Sequence, residues 1–189
     1  MKMGKHGISA DTPKNILFGS GTYHKNLKFA TGEWTGDCIG ATSGGGKISI
    51  VGEFVDLELD GALVRWKGQT VKQGGKATME VNYAEITADM LKTVGLLKEA
   101  ESDAEGYTML TDKARIEEGD YLENFGFVGE TIQGQKIIVI FDYALCTNGL
   151  ELETKGKENT VVKATLEAAA NVDGDLDTLP VRIYYPETA

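Results

Sequence analysis

Cysteine, histidine and proline are all scarce in this chain, and each scarcity removes a class of protein. Two cysteines, Cys38 and Cys146, stand far apart, so neither a disulfide scaffold nor a cysteine-based metal finger can be built. Histidine occurs only at His6 and His24, away from any cysteine or acidic pair. That spacing offers no base for a Ser-His-Asp or Cys-His arrangement, and both imidazoles are expected at the solvated surface. No apolar run approaches the roughly 20 residues that cross a bilayer as a helix. The opening MKMGKHGISA also lacks the apolar stretch of a signal peptide. Positive charge is short as well: Lys+Arg is 19 against 29 for Asp+Glu, a net charge of −10. Such a chain is a poor ligand for phosphate backbones, which need Lys and Arg to replace condensed counterions. The expectation is a soluble, acidic protein of a reducing compartment, its 189 residues suiting one domain.

Glycine, by contrast, is plentiful at 24 residues against 3 prolines, and it separates alternating segments as turns separate strands. Residues 1–15 read as an N-terminal arm and 33–46 as a loop ending in a glycine triplet. The strongest strand signal is 47–60, where Ile48 and Ile50 alternate with polar neighbours and then Val55, Leu57 and Leu59 do. The apolar set changes parity across Gly52, which predicts a β-bulge near Gly52–Phe54. A second strand over 76–84 places Ala77, Met79, Val81 and Tyr83 on one face and Lys76, Thr78, Glu80 and Asn82 on the other. The fifteen residues between, Gly61 to Gly75, are long for a hairpin connection, and loops of that length tend to be functional.

One helix is expected over 87–97, capped by Thr87, with Met90, Leu91, Val94 and Leu97 as its apolar stripe. An acidic loop at 98–106 follows, then strands at 107–111, 121–132 (broken at Gly126 or Gly129), 136–146, 150–154, 160–170 and 179–185. The run IIVIF within 136–146 is apolar on both faces and predicts a central strand covered on both sides. Asn148-Gly149 is a tight-turn dipeptide. The fold class is therefore mainly β, a β-sandwich or barrel with one flanking α-helix and a long hairpin loop.

Three chemical motifs fail on inspection. Gly40–Lys47 (GATSGGGK) has five residues where a phosphate loop has four, Ile48 where the hydroxyl belongs, and a strand where the helix belongs. Asn171–Asp177 (NVDGDLD) spaces oxygens like a calcium loop, but Leu176 and Arg182 occupy the positions that require glycine and glutamate. A turn accounts for its composition. Carboxylate pairs such as Glu117/Glu118 and Asp173/Asp175 are what 29 acids produce by number alone. No catalytic residue, metal site or cofactor site emerges, and Cys38 and Cys146 read as buried thiols.

The order of segments nevertheless resembles a known family. IGATSGGGKISI leads into a strand ending FVDLELDGA; a glycine-flanked hairpin follows, then AEITADML at a helix start. Later come YLENFGFVGETI, KIIVIFDYALC, VVKATLEAAA and a terminus ending PVRIYYP. Across roughly residues 16–186 this is similar to the major tail, or tail tube, proteins of bacteriophages with long non-contractile tails. The resemblance implies a single tail-tube domain over 16–189, with six copies in a ring, rings stacked into a hollow tube, and inner sheets joined into a shared barrel around the DNA path. It implies no enzyme activity and no cofactor. Expected partners are further copies of the chain, tape-measure, tail-terminator and tail-tip proteins, and genomic DNA passing without sequence-specific binding. The expected location is the virion tail, after assembly in the bacterial host cytoplasm.

Carried onto this chain, the family's inter-ring hairpin falls on Gly61, Val64, Arg65, Trp66, Lys67, Gly68, Gly74 and Gly75. Trp66 is its expected anchor, since Trp and Arg dominate interface hot spots. Disorder of this loop before assembly would hold polymerisation back, because ordering it costs about 1–2 kcal/mol per residue. Residues 1–15 and 186–189 are further inter-ring candidates. By parity, Asp56, Glu58, Asp60 and Glu80 are expected to face the lumen and repel phosphate; Lys76 is expected on the same face, which is therefore not uniformly negative. The alternative is a monomeric carbohydrate-binding or adhesin module displaying Trp34, Trp66, Tyr184 and Tyr185. A small hydrolase on a β scaffold ranks last, for want of a nucleophile–base pair.

Overall fold

Alternating apolar and polar residues put about half of the described residues into strands. The computed structural model describes residues 7–9, 11–154, 156–157 and 159–187. Its strands are β1 (Leu17–Ala30), β2 (Glu33–Cys38), β3 (Thr42–Asp56), β4 (Thr70–Tyr83), β5 (Leu97–Ala100), β6 (Met109–Asp112), β7 (Leu122–Thr131), β8 (Lys136–Cys146), β9 (Val162–Ala169) and β10 (Val181–Tyr184). One α-helix, α1 (Ala88–Gly95), follows β4. Thr87 caps it by accepting from the Met90 amide at 3.1 Å, and Leu96 ends it in the left-handed conformation.

Eight strands form one antiparallel sheet in the order β2-β1-β7-β8-β9-β4-β3, with β10 pairing β8 on the same edge as β9. Strands β5 and β6 pair separately. In the large sheet the pairing runs unbroken from β2 to β3, so the two limbs that enclose the core belong to one hydrogen-bonded sheet. That sheet curls over its own apolar face. Inside the curl, Tyr23, Phe125, Phe127, Val139 and Phe141 meet Met79, Val81, Tyr83, Val162, Ala164 and Leu166, and Met90 and Val94 of α1 pack against them. The face of β4 expected to be apolar is the one that enters this core, with Ala77, Met79, Val81 and Tyr83 all buried.

Strand β8 is covered on both sides, as its IIVIF run predicts. Val139 and Phe141 point into the main core, while Ile138 and Ile140 join Leu27 and Val128 in a second cluster on the opposite face. That cluster exists because the β1–β2 hairpin bends. Lys25 pairs Asp37 and Lys28 pairs Thr35, so Asn26 and Leu27 together oppose the single residue Gly36. Asn26 takes φ 55° at this bulge. The bend lays Phe29 and Trp34 over the sheet, where the Phe29 and Tyr184 rings meet at 5.0 Å.

Several expectations are corrected here. Residues 33–46 are not a loop; they supply β2 and the start of β3. Strand β7 passes through Gly126 and Gly129 without a break. Residues 150–154 form no strand, and Asn148 instead ties to β9, accepting from the Thr165 amide at 2.7 Å and donating to the Lys163 carbonyl at 2.9 Å. Cys146 is buried but Cys38 is exposed. His24 is buried rather than solvated. Of the expected N-terminal arm, residues 12–14 form a 3₁₀ turn. His6, with the rest of residues 1–6, residue 10 and the terminal 188–189, lies outside the described residues.

Candidate assembly surface

Strands β3 and β4 outrun the sheet that supports them. Strand β9 pairs β4 only from Thr78 to Tyr83, whereas β3 and β4 stay paired as far as Asp56 and Thr70. The Leu57 amide adds a further rung to the Gln69 carbonyl at 2.9 Å. From Ile50 outward the described residues thus form a two-stranded ribbon, with no third strand among them on β4. The expected bulge lies within it. Glu53 pairs Gly74 and Phe54 pairs Lys72, so the extra residue is Gln73 on β4 rather than a residue of β3. The parity change at Gly52 therefore does not redirect β3 toward the core: Val55, Leu57 and Leu59 are exposed.

The ribbon carries large apolar side chains on both faces. Val51 is 56% exposed and Phe54 65%, while Val55 and Val71, directly opposite one another, are both exposed. At the tip, Leu63 is 98% and Val64 79% exposed, and Trp66 is half-exposed. A two-stranded ribbon is marginal alone in water, and an apolar patch of this extent marks an interaction surface. The sequence signal was present in the adjacent apolar pairs Ile50-Val51 and Phe54-Val55, which put apolar groups on both faces of one strand. A second, smaller patch joins Ile16, Leu17, Phe18 and Ile132 where β1 meets β7.

Hydrogen bonds tie the tip to the ends of β3 and β4. Thr70 Oγ1 donates to Asp56 Oδ1 at 2.5 Å, and Arg65 Nη2 reaches both Thr70 Oγ1 at 2.6 Å and Asp56 Oδ1 at 3.0 Å. The Thr70 hydrogen bond, aided by Arg65, holds the Asp56 carboxyl below its ordinary range. The Trp66 amide donates to Gln69 Oε1 at 3.2 Å, and the Gln69 amide returns to the Trp66 carbonyl. Six of the expected contact residues, Gly61, Val64, Arg65, Trp66, Lys67 and Gly68, sit in this tip. Gly74 and Gly75 do not; they lie within β4 opposite Glu53 and Gly52.

The five charged residues expected on one face are exposed or half-exposed, but the register separates them. Glu80 opposes Lys47 and Lys76 opposes Val51, out of phase with the core-facing Met79 and Ala77. Asp56 opposes Thr70 and stays in phase with Ile48, Ile50 and Phe54, because β3 carries no extra residue. Glu58 and Asp60 belong to the tip. The ladder face is mixed in sign: Lys47 Nζ lies 3.0 Å from Glu80, and Lys76 Nζ lies 2.6 Å from Glu167 of β9. Lys47 as a partner could not be read without the cross-strand register.

The aromatics that a sugar-binding face would need are dispersed. Trp34 packs edge-to-face on His24 with centroids 4.7 Å apart, and Tyr184 packs on Phe29. Beside α1, Lys25, Cys38, Tyr83, Glu85 and Asp89 line an open groove. Among the described residues no group of three or more His, Cys, Asp and Glu is placed to hold a metal ion, and no helix is long and apolar enough to cross a membrane. Comparison with known proteins finds no match, either to a protein-family model or to a curated protein.

Proposed function

We propose that the chain is a self-assembling structural subunit, the tube-forming protein of a bacteriophage tail. The observation that carries this reading is the β3–β4 ribbon, two-stranded from Ile50 to its tip and apolar on both faces. Burial against another copy would cover both faces at once. A contact between two different surfaces of the same chain does not close on itself at a dimer. It yields rings where the rotation closes and filaments where it does not, and a stacked-ring tube uses both.

In this reading six copies join edge to edge into a barrel and the rings stack. Strand β3, fifteen residues long at one margin of the sheet, supplies an edge that ring closure would cover. The net charge of −10 on each copy discourages adhesion of DNA in transit. The repulsion would come from the whole acidic chain rather than from a stripe of Asp56, Glu58, Asp60 and Glu80, since Arg65 and Lys47 neutralise part of that set. Tape-measure, terminator and tip proteins would set the tube's length and ends, in a virion tail built in the host cytoplasm. The role is architectural and asks for no catalysis.

Sedimentation velocity over a range of concentrations, with electron microscopy of the fast fraction, tests this. Rings or hollow tubes are the expected species. A monomer that binds immobilised glycans saturably and never assembles would favour the adhesin alternative and overturn the proposal.

A further inference from the structure

His24 occupies the point where the β1–β2 hairpin bends over the sheet, and the residue is 4% exposed. Nε2 lies 2.9 Å from Thr22 Oγ1, while Nδ1 is buried with no hydrogen-bond partner. Trp34, from the overlying arm of the hairpin, meets the imidazole edge-to-face. Gly36 lies so close that a Cβ there would stand 3.2 Å from that of His24. The bent part of the hairpin therefore rests directly on a titratable ring.

The charged surroundings are sparse. On β1 itself Lys25 follows His24 in sequence. Strand β2 contributes Asp37, whose Oδ2 accepts from Asn26 Nδ2 at 2.7 Å. Strand β7 places Gly126 opposite His24 and brings no charge. Beyond Ile140 of β8, the paired residue on β10 is Arg182, held by Asp142 and Asn124.

We propose that His24 is an acid-sensitive latch, whose protonation lifts residues 28–35 off the sheet and uncovers Leu27, Val128, Ile138 and Ile140. A neutral imidazole needs one donor and one acceptor, whereas an imidazolium has two N–H donors. Thr22 Oγ1 can accept one of them; beyond it the charged ring meets only the Gly36 backbone, whose pull does not offset the burial of the unpartnered Nδ1, and that loss falls on the closed form. Burial holds the imidazole below its ordinary value, against the opposing pull of the Gly36 backbone and Asp37. The sign follows: the closed form keeps its full stability above the open-form value of about 6.5 and loses it as pH falls toward the closed-form value. The bulge at Asn26–Leu27 provides the hinge, so the rest of the sheet can stay paired.

The test uses the full chain carrying His6→Gln and Trp66→Phe, which leaves His24 and Trp34 as its only histidine and tryptophan. Trp34 emission, far-ultraviolet circular dichroism and the histidine ring resonances are followed from pH 8 to pH 5. The proposal expects a red shift of Trp34 emission with the same midpoint as the His24 titration, below about 6.5, and no loss of strand signal. Residues 28–35 should also become open to proteolysis in the same range. His24→Gln and His24→Phe, whichever folds, should leave Trp34 emission flat over that range. Imidazole titration without movement of Trp34, a Trp34 shift retained in either variant, or no change in either signal down to pH 5 would overturn it.

Discussion

The hydroxyl of Tyr23 in β1 occupies the space that a side chain at Gly46 of β3 would need. These strands lie far apart in the order of the sheet, so the contact is where the curl brings its two limbs together. The Glu80 carbonyl stands 2.6 Å from the same position, which leaves a Cβ nowhere to go. Gly46→Ala is expected to lower stability by about 1–3 kcal/mol, the usual cost of overpacking. Urea denaturation of the variant beside the parent chain measures it.

Phe141 joins three strands: it pairs Phe125 of β7 and Val181 of β10, and its side chain is fully buried. Phe141→Ala removes a ring that no neighbour can replace. The expected loss is about 3–5 kcal/mol, seen as a lower midpoint in thermal or chemical unfolding.

Asp56, Thr70 and Arg65 brace the ribbon tip, and the Asp56 carboxyl is held low by the Thr70 hydroxyl before Arg65. The contribution is complete above the ordinary aspartate value of about 3.9 and disappears as pH falls through the lower folded value. Asp56→Asn is expected to speed amide exchange at Leu57, the last rung before the tip, with little change in the rest of the sheet. Exchange rates at Leu57 that match the parent chain would show the brace to be without effect.

The ion pairs on the ladder face are exposed, Lys47 and Glu80 at 66% and 47% of their side chains. Exposed pairs contribute roughly 0–1 kcal/mol. Glu80→Gln should therefore shift the unfolding midpoint only slightly, and less at high salt. A loss of several kcal/mol would mean that this face is covered in solution.

Much of the architecture was legible where one periodicity dominates. Lys136–Cys146 reads as a doubly covered strand because its apolar residues fall on both parities, and β8 is that strand. Thr87 followed by Met90 and Val94 reads as a capped amphipathic helix, and α1 buries those two residues. The β1–β2 hairpin was not legible, since its bend depends on one glycine opposing two residues across strands. The same bend buries His24, which was expected at the surface because no cysteine or acidic pair lies near it in sequence. Val55, Leu57 and Leu59 alternate like core residues, yet β9 stops short of them. What alternation reports is a face to be covered, and among the described residues nothing covers this one. Loop length singled out 61–75 and the family resemblance named Val64 to Gly68 within it, whereas Val51 and Phe54 were signalled only by adjacent apolar pairs, and Val71 only by its register opposite Val55.

The most direct test of the assembly claim is negative-stain electron microscopy of the purified chain beside a variant carrying Val51→Thr, Val55→Thr, Leu63→Ser and Val71→Thr. These side chains are all exposed, so each change should alter monomer stability by no more than about 0.5 kcal/mol. The account predicts rings or hollow tubes from the parent chain and folded, unassembled subunits from the variant. Tubes formed equally well by both would contradict it.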